Sequence, residues 1–171
     1  LRFHYFRNFG YYAPKEPLIT KLFEVEIGNL EMYGFGIKSF VLSMIETAMF
    51  VTESTVPAKT VNQIMGLGKH MLEKPVTLIV GIEQVLKNLN GDFQLIVATK
   101  GDLLDQQRKL KKSGLSKYFH HIEIMSDKKE PDYTSLLNRL DVEPEEFLMI
   151  GNSIKSDIVP VLNLGGTAIH V

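Results

Sequence analysis

The chain has 171 residues, 44% of them hydrophobic, with 19 Lys and Arg against 20 Asp and Glu for a formal net charge of −1. That length suits one large domain or a core with a smaller accessory one, and 13 Gly and 7 Pro exclude collagen-like and disordered classes. The absence of cysteine excludes disulfides, thiolate metal sites and cysteine nucleophiles, and the near-neutral charge gives no electrostatic case for nucleic acid as the main partner.

Residues 1–16 are aromatic and basic, with Phe3, Tyr5, Phe6, Phe9, Tyr11 and Tyr12 among Arg2 and Arg7, and they match no regular element. From Pro17 the pattern becomes helical. Leu18, Ile19, Leu22, Phe23 and Ile27 follow three-four spacing as far as the Gly34-Phe35-Gly36 turn. Ile37, Phe40, Val41, Met44, Ile45, Ala48 and Met49 mark one continuous face of the next helix. A third helix, Ala58 to Met71, has Val61, Ile64 and Met65 on similar spacing. Gly66 and Gly68 weaken it by about 1 kcal/mol each relative to Ala, and Pro75 closes the segment. Residues 1–74 therefore read as mostly helical.

After Pro75 helices and strands alternate. A helix Ile82–Leu89 leads to a strand Phe93–Ala98, a helix Asp102–Lys112 to a strand His121–Met125, and a helix Pro131–Leu140 to a strand Phe147–Ile150. A last helix near Ser156–Leu162 and a Gly165-Gly166 turn lead into Thr167–Val171. This order predicts an α/β fold with a parallel sheet over residues 75–171. The apolar runs Leu95–Ala98 and Phe147–Ile150 predict strands buried on both faces.

In an open parallel sheet, ligands bind beyond the carboxyl ends of the strands. Those ends carry Thr99-Lys100-Gly101-Asp102, Ser126-Asp127-Lys128-Lys129, and Gly151-Asn152-Ser153 followed by Ser156-Asp157. The set suits phosphoryl chemistry. The Thr99 hydroxyl and the backbone of Lys100 and Gly101 can hold phosphoryl oxygens. Lys128 can balance charge on the transferred group. Asp157, helped by Asn152, offers oxygen ligands of the kind Mg²⁺ takes. Simpler readings stand beside these: Thr99 as a helix N-cap, Lys128 and Lys129 as a solvated loop, Asp157 as a first-turn acid. No Walker loop, no Gly-x-Ser-x-Gly elbow and no complete dinucleotide fingerprint competes. The neighbouring His120 and His121 point to opposite faces of a strand, and the basic run Arg108–Lys117 reads as a solvated helix face.

The strings Ile96-Val97-Ala98-Thr99-Lys100-Gly101-Asp102, Ser126-Asp127-Lys128 and Phe147-Leu148-Met149-Ile150-Gly151-Asn152-Ser153-Ile154-Lys155-Ser156-Asp157 resemble motifs two, three and four of the haloacid dehalogenase-like (HAD) hydrolases. The resemblance runs from about Pro75 to Val171, and the helical segment before it resembles the family's inserted helical cap. It implies a HAD-like Rossmannoid parallel sheet core with an all-helical cap. By the same resemblance Thr99 binds the phosphoryl group, Lys128 is the stabilising lysine, and Asp157 with Asn152 forms the Mg²⁺ end. Asn152 stands where many members carry Asp, which makes Asp157 the better metal ligand. Lys129 remains the alternative lysine.

The family's nucleophile is the first Asp of an Asp-x-Asp after an apolar strand, and no Asp-x-Asp occurs in this chain. The chain begins at Leu1 and ends within a predicted strand, so the expectation is that the nucleophile segment lies outside this sequence. The sheet is then expected to lack a strand beside Phe93–Ala98 and Phe147–Ile150. The expected activity is Mg²⁺-dependent hydrolysis of a small phosphorylated metabolite through an aspartyl-phosphate. The alternatives are a non-catalytic binding or regulatory relative and a haloacid dehalogenase. Apolar runs such as Leu78-Ile79-Val80 are too short to span a bilayer and no leader is recognisable, so a cytoplasmic protein is expected.

Overall fold

The computed structural model describes residues 15–125 and 127–171. The aromatic stretch Phe3–Tyr12 and Ser126 lie outside the described residues. Two compact units divide the described chain, one built from residues 15–78 and 102–113 and the other from residues 79–101 and 114–171.

The first unit is helical. It holds α1 (Lys15–Tyr33), α2 (Ile37–Val51), α3 (Ala58–Glu73) and, from later in the chain, α5 (Leu103–Ser113). Leu18 and Leu22 of α1, Met44 and Ala48 of α2, and Ile64 of α3 form its buried core. The α2 face is more polar than its apolar spacing suggests, because Ser39, Ser43 and Thr47 are buried beside Met44 and Ala48. Short hydroxyls survive there by bonding back one turn, Ser43 Oγ to the Ser39 carbonyl at 3.0 Å and Thr47 Oγ1 to the Ser43 carbonyl at 2.7 Å. Phe23 and Ile27, expected on the inner face of α1, are more than half exposed. Gly68, a weak residue for a helix, has a packing role: a Cβ there would lie 2.4 Å from Val41 Cγ2. Helix α5 joins this unit through Lys112 Nζ, which donates to the Leu72 and Glu73 carbonyls at 3.1 and 3.2 Å. A cation suits the negative end of α3.

The second unit contains α4 (Ile82–Leu89), β1 (Ile96–Lys100), β2 (His121–Met125), α6 (Glu130–Leu140), β3 (Leu148–Gly151), a π-turn (Ile154–Ile158), α7 (Val159–Asn163) and β4 (Thr167–His170). β1 pairs with β2 in parallel, Ile96 opposite His121 and Lys100 opposite Met125. β3 pairs with β4 in parallel, Leu148 opposite Thr167 and Gly151 opposite His170. Among the described residues no ladder joins the two pairs. Met125, Tyr133, Leu136, Met149 and Val161 form the buried core.

Two expectations are corrected. The first strand lies three residues later than Phe93, because Leu95 pairs with His120 just before the ladder begins and Phe93 stays 60% exposed. β3 is not buried on both faces: Met149 is buried, while Leu148 and Ile150 are about half exposed, since α6 and α7 supply core to one side only. The last helix, expected near Ser156–Leu162, forms as a single π-turn, Ile154–Ile158, running directly into α7.

Candidate functional site

The later start of β1 brings Thr99 and Lys100 into the strand's last two positions, where successive side chains point to opposite faces. Helix α5 is capped by Asp102, whose Oδ1 accepts the Asp105 N–H at 3.1 Å, and this takes the N-cap role away from Thr99. Gly101 links the two at φ 136°, a conformation that an L side chain rarely adopts.

Lys128 follows β2 in a left-handed conformation, φ 55°. For a residue with a Cβ this costs about 1–2 kcal/mol. It turns the side chain inward, so that Lys128 is 7% exposed. Its Nζ lies 2.5 Å from Asp157 Oδ1, with the two side chains 9% and 6% exposed. Lys129, by contrast, projects outward and pairs with Asp127 at 2.6 Å. The hydrogen bond from Lys129 is the main reason that Asp127 is held below the usual carboxylate range, with Lys100 assisting.

Asp157 sits in the π-turn with its second oxygen accepting the Ser153 N–H at 3.0 Å. Its carboxylate lies against the backbone of Gly151: a Cβ there would lie 2.5 Å from Asp157 Cβ and Oδ2. Lys100 Nζ reaches the same turn, 3.0 Å from Ser156 Oγ, and lies 3.7 Å from Asp127 Oδ1. Two lysines from two strand ends thus meet consecutive residues of one turn. Thr99 Oγ1 makes a long contact of 3.5 Å to the Lys100 carbonyl. Asn152 is exposed, and its carbonyl accepts from His170 Nε2 at 3.2 Å.

The sequence pattern passed over Tyr133 and the packing role of Gly151. Tyr133 is fully buried and its hydroxyl donates to the Ser156 carbonyl at 3.0 Å. Burial, reinforced by the charge of Asp157, pushes this phenol well above its usual range, so it remains a donor.

Mg²⁺ would find one buried carboxylate here, that of Asp157. Among the described residues no three His, Asp or Glu converge. Mg²⁺ usually keeps several waters and takes only one or two carboxylates plus substrate oxygens. A carboxylate has about four lone-pair sites, so Asp157 retains acceptor capacity beyond Lys128 and Ser153. One buried carboxylate with acceptor capacity to spare fits that partial role.

A family model described as haloacid dehalogenase-like hydrolase matches residues 30–171. The chain is similar to a haloacid dehalogenase-like family hydrolase from Xanthomonas campestris, at 35% identity and a TM-score of 0.88, over 100% of this chain and 76% of that one. It is 25% identical over 95 residues to N-acylneuraminate-9-phosphatase of Homo sapiens, covering 53% of this chain. It spans only 38% of the length of that relative. In fold it also resembles the L-2-haloacid dehalogenase of Xanthobacter autotrophicus, with a TM-score of 0.64 at 16% identity over 92% of this chain and 64% of that one.

Proposed function

The chain belongs to the haloacid dehalogenase-like hydrolases, and we propose that within this family it acts as a Mg²⁺-dependent phosphatase on a small phosphorylated molecule. Residues 75–171 are then the catalytic core and residues 1–74 the helical cap. The observation that carries the reading is the buried Lys128–Asp157 pair, with Lys100 reaching the neighbouring Ser156. A strained lysine held inward beside a buried carboxylate is a poor contributor to stability alone, since burying both charges offsets much of their attraction. It makes sense as preorganised electrostatics.

In this reading Lys128 stabilises negative charge developing on the transferred phosphoryl oxygens. The Thr99 hydroxyl, the N–H groups at Lys100 and Gly101, and the Lys100 charge bind the phosphoryl group. Asp157, with the Asn152 amide, would hold Mg²⁺, which supplies charge neutralisation at the phosphate. The attacking carboxylate is the Asp of a segment outside this sequence. Similarity to a phosphatase, N-acylneuraminate-9-phosphatase, favours phosphate esters over haloacids as the substrate class.

The test is hydrolysis of a generic aryl phosphate by the complete protein, with Mg²⁺ and with excess chelator. Turnover should require Mg²⁺ and should fall by most of its value in Asp157→Ala. Equal turnover in chelator would sink the phosphatase reading. Metal-independent release of halide from a 2-haloacid would replace it with the dehalogenase, and a complete protein lacking Asp-x-Asp would replace it with a binding relative.

A further inference from the structure

We infer that Tyr133 is a positioning residue, whose buried hydroxyl fixes the π-turn that aims the Asp157 carboxylate at Lys128. The inference deepens the hydrolase reading and rests on that reading only for its activity measurement.

The argument starts from Pro160. In an α-helix the carbonyl of Ser156 would accept the N–H of residue 160, and proline has none. The π-turn just before it is held by converging bonds: the N–H groups of Ser156, Asp157 and Ile158 all reach the Ser153 carbonyl, at 3.2, 2.7 and 3.3 Å. The Ser156 N–H also reaches Ser153 Oγ at 3.2 Å and the Val159 N–H reaches the Ile154 carbonyl, a single π-helical turn of the rare kind found frequently at functional sites. The Ser156 carbonyl is instead met from outside by the Tyr133 hydroxyl at 3.0 Å.

Tyr133 can act as a fixed reference. It is 0% exposed, stands in the core beside Met125, Leu136, Met149 and Val161, and its ring lies 6.2 Å from that of Phe147. It is also on the first turns of α6, directly after Lys128. The start of α6 is tied down by Asp132, whose carboxylate accepts the Lys129 N–H at 3.0 Å while its own N–H donates to the Lys129 carbonyl at 3.0 Å. Lys128, just before the cap of α6, and Tyr133, within its first turns, therefore hold the turn at two adjacent points, one on the Asp157 carboxylate and one on the Ser156 carbonyl. Moving the backbone at Ser156 moves the next residue, Asp157, off Lys128.

The experiment is Tyr133→Phe in the complete protein, which removes one oxygen and keeps the ring. The first measurement is the ¹³Cγ resonance of Asp157, compared with wild type and with Ile64→Val, a core change in the other unit. We expect the Asp157 signal to be displaced in Tyr133→Phe and unmoved in Ile64→Val. The second is aryl phosphate hydrolysis below the unfolding temperature, where kcat should fall about tenfold, the scale of one neutral hydrogen bond, with KM unchanged. Replacing Tyr133 by 4-aminophenylalanine restores a donor and should recover most of the loss. An unmoved Asp157 signal in Tyr133→Phe overturns the inference whatever the activity. A displaced signal in a protein whose wild type hydrolyses no phosphate ester upholds the positioning role and removes the phosphatase reading.

Discussion

Gly151→Ala tests the packing on which the candidate site depends. Gly151 ends β3, and its φ is not among the positive ones, so alanine is acceptable to the backbone there. The obstacle is steric. The new Cβ would lie 2.5 Å from Asp157 Cβ, 2.5 Å from Oδ2 and 2.6 Å from Cγ. Ordinary contact needs about 3.5 Å or more, so the carboxylate must retreat by about 1 Å. That retreat strains the 2.5 Å pairing with Lys128 and the 3.0 Å bond from the Ser153 N–H. Overpacking costs about 1–3 kcal/mol, and loosening a buried ion pair adds to it, so a loss of about 2–4 kcal/mol is expected. A misplacement of about 1 Å at a reacting group also lowers turnover on the order of 10²-fold. Urea unfolding followed by circular dichroism measures the first effect, and aryl phosphate turnover of the folded variant measures the second. A variant with wild-type midpoint and turnover would refute the close contact between Gly151 and Asp157, and with it the preorganised site.

Three further outcomes are expected. In α3, Gly66→Ala meets nothing within 4 Å and should stabilise by about 0.5–1 kcal/mol, whereas Gly68→Ala would drive a Cβ to 2.4 Å from Val41 Cγ2 and should destabilise by about 1–3 kcal/mol; thermal melts of the two variants should shift in opposite directions. Lys128→Ala should lower turnover on the order of 10²-fold and Thr99→Val about 10-fold, while the outward-facing Lys129→Ala should stay close to wild type; a larger loss for Lys129→Ala would transfer the role to that residue. Burial raises Glu123, but hydrogen bonds from Arg139 and His121 outweigh it and hold the carboxyl below its usual range. A depressed folded value stabilises above the unfolded pKa, and that contribution is lost as pH falls through the folded one. Arg139→Met should therefore begin to lose stability at a higher pH on acid titration, by no more than about 1 kcal/mol for so exposed an arginine; identical acid unfolding curves would refute it.

Much of the fold was legible from local pattern. The apolar face of α2 and the alternation of strands and helices after Pro75 depend on periodicity, and helix and strand periods differ enough to be told apart along the chain. The polar clusters at the strand ends were legible for a similar reason, since chain direction alone sends the carboxyl ends of parallel strands to one rim. Membership in the hydrolase family was readable from those same strings.

Other features depended on what lies across space. Spacing could not choose between Lys128 and Lys129, adjacent and chemically alike; the left-handed backbone at Lys128 turns one inward and leaves the other with Asp127. Buried Ser43 and Thr47 contradict a hydrophobicity reading until their hydroxyls are seen to find the Ser39 and Ser43 carbonyls one turn back. Gly68 looked like a defect in a helix and proves to be room for Val41. Tyr133 carries no signal as a site residue, because its effect on Asp157 runs through the Ser156 carbonyl from another helix. The sequence by itself determined which elements form and which chemical groups arrive at the rim, because both follow from local period and chain direction. Tertiary structure decided which side chain of each group turns inward and what holds it there, because those choices depend on the sterics and hydrogen-bond partners contributed by residues distant in the chain.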